Sequence, residues 1–448
     1  MTKSKNLFKK IGGWFKSFGR WCKSLFVSIE GKEPRLKVFF KGIGHWFKSL
    51  FVATGGKEPR LRTLAKTDSF TAVLSSVVSI LIGILFGAVL LFILKPESAL
   101  WGLFSMLTKG FTSSATFAEV LYSSTPLIMT GLSIGFAFKT GLFNIGASGQ
   151  YLMGGFFALY GGIVLQLPWW VCLLLAMAGG AIMGAIPGIF KALLNVNEVI
   201  TCIMFNWIGL FAVNLAASNS KMLPVDFGGV QSDRTVKLLT VNPDAVIPRL
   251  GLDKLFGTSY MNIGIALAII IAVIIYIVLN KTAFGYELKA CGFNKNSAKY
   301  AGIKEKRSII LSMLIAGGLA GIGGGFYYLS GVSEYQIAKV LQAMGFNGIP
   351  VALLASSNPI GIIFSALFVS YIQVGGNAMQ PEFAKEVIDI IIAVIIYLSA
   401  FALLFRNIIG KAIKNKMEER ELKEALSAQQ SMNAGDGGAG ILPGKGEE

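Results

Sequence analysis

Several of the polar groups inside this chain's apolar runs are amides, and these are the ones that could do chemistry there. Asn144 and Gln150, with Ser148 between them, belong to the segment GLFNIGASGQ at 141–150. Asn195, Asn197, Glu198, Thr201 and Asn206 crowd the start of another apolar run, and Gln342, Asn347, Asn358 and Gln373 recur in the C-terminal half. A polar group in hydrocarbon is costly unless it finds a partner or water. Any one of these amides reads as a helix–helix hydrogen bond. As a group, with few charges beside them, they suit a polar uncharged solute better than an ion. Trp207, Phe143 and Phe346 offer faces for such a solute to stack on. The candidate solute contacts are Asn144, Gln150, Asn206, Trp207, Phe346, Asn347 and Gln373. Asp389 is the one acid well inside an apolar run, and it is a candidate proton site.

Groups for covalent chemistry are sparse. His45 is the one histidine and lies in a basic N-terminal tail, so it completes no Ser/His/Asp or Cys/His set inside the apolar region. Cys22, Cys172, Cys202 and Cys291 are scattered, without metal or redox spacing. The run GILPGKG at 440–446 has the wrong spacing for a phosphate loop and lacks the Ser/Thr that would hold magnesium. The chain is therefore expected to be no enzyme, with no metal or cofactor of its own, and any ATP hydrolysis should fall to a partner.

These residues are positioned by helices in a bilayer. Of 448 residues, 54% are hydrophobic and 15% charged, less charge than a soluble protein of this size carries. Several apolar stretches reach the ~20 residues that cross ~30 Å of hydrocarbon. The expected fold is all-α and polytopic, with about ten transmembrane helices. They fall near 70–94, 117–138, 148–166, 169–191, 198–217, 260–280, 308–330, 338–356, 359–376 and 385–405. The stretches at 148–166 and 338–356 are short and rich in Gly, Asn or Pro, as broken or re-entrant helices are. With both termini cytoplasmic, 32 of the 41 Lys and Arg fall inside, as the positive-inside rule requires. Gly180, Gly184 and Gly188, and likewise Gly317, Gly321 and Gly325, share one helical face and predict close backbone packing.

One polar island, 282–303, separates two of the longest apolar runs. It holds Lys289, Lys295 and Lys299, so it belongs on the cytoplasmic side. Asn294 is a good N-cap and Gly302 a good residue to end a helix, with Ala298 and Tyr300 between them. The spacing predicts a helix of about two turns on the membrane surface. An ordinary hairpin loop is the plainer alternative.

Three regions follow. Residues 1–66 carry sixteen Lys/Arg against three acids and repeat a 17-residue unit at an offset of 25. Trp14, Trp21, Phe26, Trp46 and Phe51 fall on apolar helical stripes, the pattern of helices anchored on an anionic lipid surface. Nucleic acid is the less suitable partner, because the aromatics follow a stripe. Residues 67–406 are the membrane domain. Residues 407–448 form a charged helix followed by a Gly-rich tail of disordered composition.

Four segments resemble a known family. TGLFNIGASGQ (140–150), NEVITCIMFNWI (197–208), TAFGYELKACGFNKNSAKYAGI (282–303) and GFNGIPVALLASSNPIG (345–361) are similar to segments of bacterial ABC-importer permeases of the ribose and branched-chain amino acid superfamily. The wording is closest to the nucleoside branch. The family's glutamate in the first motif is Ser148 here, and a common alanine is Pro350. The resemblance implies a bacterial plasma-membrane location and a second permease chain, similar or identical. It also implies separate ABC ATPase subunits that bind the ATP, and a substrate-binding lipoprotein. It further implies that Gly292, Asn294, Lys295, Ala298, Lys299, Tyr300 and Gly302 form the segment coupled to the ATPase. A nucleoside is the expected cargo. The alternatives are a simple sugar such as ribose, or proton-coupled secondary transport through Asp389.

Overall fold

The computed structural model describes residues 68–225, 229, 231–400 and the single positions 415, 419, 426 and 427. The chain divides into two units, Met1–Leu74 with Asn407–Glu448, and Ser75–Arg406. The anchoring residues Trp14, Trp21, Phe26, Trp46 and Phe51 lie outside the described residues.

Helices are the only extended elements among the described residues; β pairing is confined to isolated bridges of Val225 with Gln231 and Arg234 with Gln336. In chain order they are α1 (Asp68–Leu94), α2 (Pro96–Thr108), α3 (Ser114–Lys139), α4 (Ala147–Leu159), α5 (Trp169–Leu194) and α6 (Glu198–Ser218). A loop then carries the short α7 (Leu238–Val241) and α8 (Leu252–Phe256). There follow α9 (Gly264–Lys281), α10 (Ala283–Phe293), α11 (Lys295–Tyr300), α12 (Glu305–Tyr328), α13 (Ala343–Leu354), α14 (Pro359–Asn377) and α15 (Lys385–Ala400).

Among the described residues six helices are long and apolar enough to cross a membrane: α3, α5, α6, α9, α12 and α14. The other expected spans correspond to α1, α4, α13 and α15. α4 ends in a π-helical turn at Tyr160–Val164. α13 has 12 residues, a rise of ~18 Å, and cannot cross ~30 Å of hydrocarbon alone. α2 lies in a stretch read as a connection. Its signal was Pro96 at the first helical position, where the missing N–H costs nothing.

The bundle is organised on α12, which packs against α3, α4 and α5. Glycine makes this possible. A Cβ on Gly180 would lie 2.3 Å from the Gly317 carbonyl oxygen, and one on Gly321 would lie 2.3 Å from that of Ala176. On another face of α12, a Cβ on Gly324 would lie 2.1 Å from the Tyr151 carbonyl oxygen of α4. Lipid gives helices no hydrophobic reason to associate, so backbone-to-backbone packing holds them. The four-residue glycine spacing expected from the sequence is thus the seam of α5 and α12.

Candidate functional site

The island at 282–303 folds as two helices. Thr282 caps α10 by accepting from the Gly285 N–H at 3.1 Å. Asn294 caps α11, its side-chain oxygen accepting from Asn296 N–H at 3.0 Å and Ser297 N–H at 3.1 Å. At the far end Gly302 is left-handed, with φ +82. The Ile303 N–H donates to the Ala298 carbonyl and the Gly302 N–H to that of Lys299, each at 3.0 Å. That pair of bonds is a Schellman closure. The sequence reading reached α11 through its caps but passed over α10.

Ala298 faces inward and is buried. Phe293 is 90% exposed and Tyr300 95%, with Tyr286 also exposed. Lys295 and Lys299 flank them in solvent. An aromatic side chain has much apolar area to bury and seldom stands so far out. Phe293 and Tyr286 were overlooked because helical periodicity gives no warning of an aromatic side chain on the outer face of a surface element.

This helix pair is seated on the bundle through glycine. A Cβ on Gly285 would lie 2.1 Å from the Val278 carbonyl oxygen near the end of α9. A Cβ on Gly292 would lie 2.6 Å from the Thr140 carbonyl carbon and 2.7 Å from the Gly141 nitrogen. Gly141 itself has φ +73, so the loop between α3 and α4 turns there against α10. The neighbouring Thr140 hydroxyl is hydrogen-bonded to Ser312 of α12. The exposed helices therefore touch α9, the α3–α4 loop and, one residue away, α12.

That loop leads into the amide cluster. Asn144 Nδ2 donates to Ser133 Oγ at 2.9 Å and to Gln150 Oε1 at 2.8 Å, and Gln150 Nε2 donates back to Asn144 Oδ1 at 2.9 Å. Asn206 of α6 accepts from the Gly149 N–H at 2.8 Å and donates to the Ile145 carbonyl at 3.0 Å. Gly146 at the start of α4 gives no side-chain cap, so Asn206 satisfies that helix end from a neighbour. Asn144, Gln150 and Asn206 are all buried. In this conformation they spend their hydrogen bonds on the protein.

The remaining candidates lie apart from this cluster. Trp207 is 41% exposed on the outer face of α6 and stacks on Phe211. Phe346 and Asn347 on α13 and Gln373 on α14 are half-buried. α13 approaches the cluster through its glycines, since a Cβ on Gly345 would lie 2.3 Å from Ser148 Cα. Asp389 is exposed on α15, away from the polar interior.

A second polar network was overlooked except for Gln342. Tyr122 OH is hydrogen-bonded to Ser333 Oγ at 3.0 Å and Ser330 Oγ at 3.2 Å. Gln342 donates to Tyr328 OH at 2.6 Å, and Tyr335 OH donates to Asn214 Oδ1 at 2.5 Å. The rings of Tyr122, Tyr327, Tyr328 and Tyr335 pack in succession. This network ties the segment between α12 and α13 to α3 and α6. Its sequence signal was the density of tyrosine from Tyr327 to Tyr335.

Bundle, interior amides and exposed helix pair together describe a multi-pass membrane protein with an exposed, aromatic helix pair at one end. Residues 116–400 match the family described as branched-chain amino acid transport system / permease component. The chain belongs to that family, as the four motifs indicated, and is a multi-pass protein of the plasma membrane. It is 35% identical to the nucleoside ABC transporter permease protein NupB of Lactococcus lactis subsp. cremoris over 80% of this chain and 98% of that one. It is 35% identical to the guanosine ABC transporter permease protein NupP of Bacillus subtilis over 75% of this chain and 95% of that one. The glucose ABC transporter permease protein TsgB13 of Haloferax volcanii is 30% identical over 65% of this chain and 77% of that one. No solved structure matches the chain.

Proposed function

We propose that this chain is the translocation subunit of an ATP-driven ABC importer for nucleosides. The observation that carries the mechanism is the seat of α10 and α11. An exposed, capped, aromatic helix pair is fixed by backbone contact to the loop that opens α4. ATPase chains that grip Phe293, Lys295, Lys299 and Tyr300 move Gly292 against Gly141 when they close on ATP. The displacement passes through Thr140 to Ser312 on α12 and through the Asn144–Gln150 pair to Asn206 on α6. The bundle then exchanges outward-open and inward-open states, biased by the tighter binding of ATP to the closed ATPases. ATP is hydrolysed on the partner subunits.

The cargo assignment is supported by the names of two relatives that are 35% identical to this chain over most of its length. A neutral nucleoside also suits side chains that stack and hydrogen-bond. Trp207, Phe346, Asn347 and Gln373 keep polar or aromatic groups available, whereas Asn144, Gln150 and Asn206 become available only if the cluster opens. The glucose relative keeps a simple sugar as the second reading, at lower identity and coverage.

About ten spans, short or broken ones at α4 and α13 included, with both termini cytoplasmic fit the placement of 32 of the 41 Lys and Arg on the inner side. Lys191 and Glu198 form an ion pair at 2.7 Å at one end of the bundle, the end where Gly292 meets Gly141. Lys95 and Glu382 pair at 3.2 Å at the other. A similar second permease chain is supported by paired relatives in one organism: NupP and NupQ in Bacillus subtilis, NupB and NupC in Lactococcus lactis. A substrate-binding lipoprotein delivers cargo to the outer face, and anionic lipids hold the basic N-terminal tail.

The test is ATP-dependent uptake of labelled guanosine by vesicles holding this chain with its ATPase and second permease. Competition by other nucleosides but not by free ribose is the expected result. Competition by ribose alone would transfer the assignment to the sugar reading. Uptake driven by a proton gradient without ATPase chains would overturn the class.

A further inference from the structure

The lateral face of the bundle carries a groove that neither the seat nor the amide cluster explains. It runs between α4, α5 and α6 as a cavity of about 410 Å³, lined entirely by apolar groups that include Met153, Phe157, Ile182, Phe205 and Ile208. At one end it adjoins a second cavity of about 500 Å³, and the two share Phe156 and Ala216. The second cavity is different in kind. It is lined by Tyr160, Asn219, Ser220 and Lys221 together with Ile163 and Val164. A slot with an apolar body and a polar, cationic mouth has the chemistry of one molecule class.

We infer that this slot holds a glycerophospholipid with an anionic headgroup, an acyl chain between α4, α5 and α6, and its phosphate at Lys221. The inference rests on reading the chain as membrane-spanning. Three observations point to a lipid. The apolar part opens sideways from helices that face hydrocarbon, with Ile182 and Ile208 exposed at its rim. The polar part lies just beyond the C-terminal end of α6, which stops at Ser218, the level at which headgroups meet a span. Lys221 is exposed and has no acidic partner among the described residues. The π-helical turn at Tyr160–Val164 supplies Tyr160, Ile163 and Val164 to that mouth. Its Gly162 carbonyl is satisfied from the far side by Asn242 Nδ2 at 2.9 Å. Such turns are irregularities that recur at functional sites.

In a bilayer the apolar groove offers an acyl chain little that bulk lipid does not. Retention is therefore set by fit, and selectivity by the headgroup. One lysine near an anionic surface is worth about five-fold in occupancy. By the orientation proposed above, Lys221 lies on the outer side. The lipid then belongs to the outer leaflet, beside the helix that carries Trp207.

The test uses the full chain, with its partner subunits, in nanodiscs containing phosphatidylglycerol or phosphatidylcholine with a photoreactive group on the acyl chain. Labelled peptides are mapped by mass spectrometry. The expected result is labelling of α4 and α6 by phosphatidylglycerol, about five-fold above phosphatidylcholine. Lys221→Gln should remove that preference. Ala216→Trp, which fills the junction of the two cavities, should abolish labelling there while ATP-dependent uptake persists. Equal labelling by both lipids, or a preference unaffected by Lys221→Gln, overturns the proposal. So does a cross-link from Ala216→Cys to the second permease chain, because the groove is then a protein interface. Loss of uptake in the unmodified complex would instead count against the transport reading.

Discussion

Replacing Gly292 by alanine tests whether the exposed helix pair is mechanically linked to the bundle. The added Cβ would lie 2.6 Å from the Thr140 carbonyl carbon and 2.7 Å from the Gly141 nitrogen. Carbon–carbon contacts settle at about 3.5–4.0 Å, so the two segments must part by roughly 1 Å. Both obstacles are backbone, and neither can swing aside as a side-chain tip would. Over-packing of this kind costs ~1–3 kcal/mol. The caps at Thr282 and Asn294 are untouched, so α10 and α11 still form and keep their exposed face. What loosens is their seat. A bias of ~1.4 kcal/mol between states is a ten-fold change in their ratio. The ATP hydrolysed per solute imported by the reconstituted complex should accordingly rise several-fold. Gly302→Ala is the matched control: φ is +82 there but nothing lies within 4 Å of the added carbon. It strains the end of α11 by ~1–2 kcal/mol without disturbing the contact with Gly141. An unchanged ratio of ATP to solute in Gly292→Ala, or an equal rise in both variants, would refute the proposed route through Gly141.

Three further outcomes follow from the same geometry. Asn144→Ala and Gln150→Ala should each destabilise the detergent-solubilised protein by ~1–3 kcal/mol, because the first leaves the Gln150 amide, and the second Asn144 Oδ1, buried without this bond. The double variant should cost less than their sum, and strict additivity in the thermal-unfolding cycle would deny the reciprocal bond. Tyr151 is fully buried with no hydrogen-bond partner for its hydroxyl among the described residues. Tyr151→Phe should therefore match or exceed the parent's melting temperature, and a clear loss would reveal a polar partner at that hydroxyl. Hydrogen bonds from Ser98 and Lys95, with the charge of Lys95, hold the Glu382 carboxyl below the usual range. A depressed carboxyl stabilises the fold above its unfolded value and loses that contribution as pH falls through its folded value. Acidification below about pH 4 should then weaken the parent. Glu382→Gln should show a flatter acid limb, and identical limbs would remove this tie.

Sequence alone determined whatever depends on neighbours along the chain. Asn294 and Gly302 announced α11 because capping is satisfied within a few residues. The four-residue glycine spacing announced the α5–α12 seam because one helical face repeats with that period. Apolar length and lysine placement indicated a multi-pass protein, since bilayer thickness is a fixed ruler, and four motifs placed it in its family. Tertiary structure decided which distant groups meet. Gly292 and Gly141 are far apart in sequence, and nothing local says that their backbones touch. Asn144, Gln150 and Asn206 read in the sequence either as helix–helix hydrogen bonds or, as a group, as contacts for a solute, because an unpaired amide in hydrocarbon must bind something. The fold supplies that something from the protein itself, through Ser133, Ile145 and Gly149. Composition announces the need for a partner, but only the packing of α3, α4 and α6 supplies it.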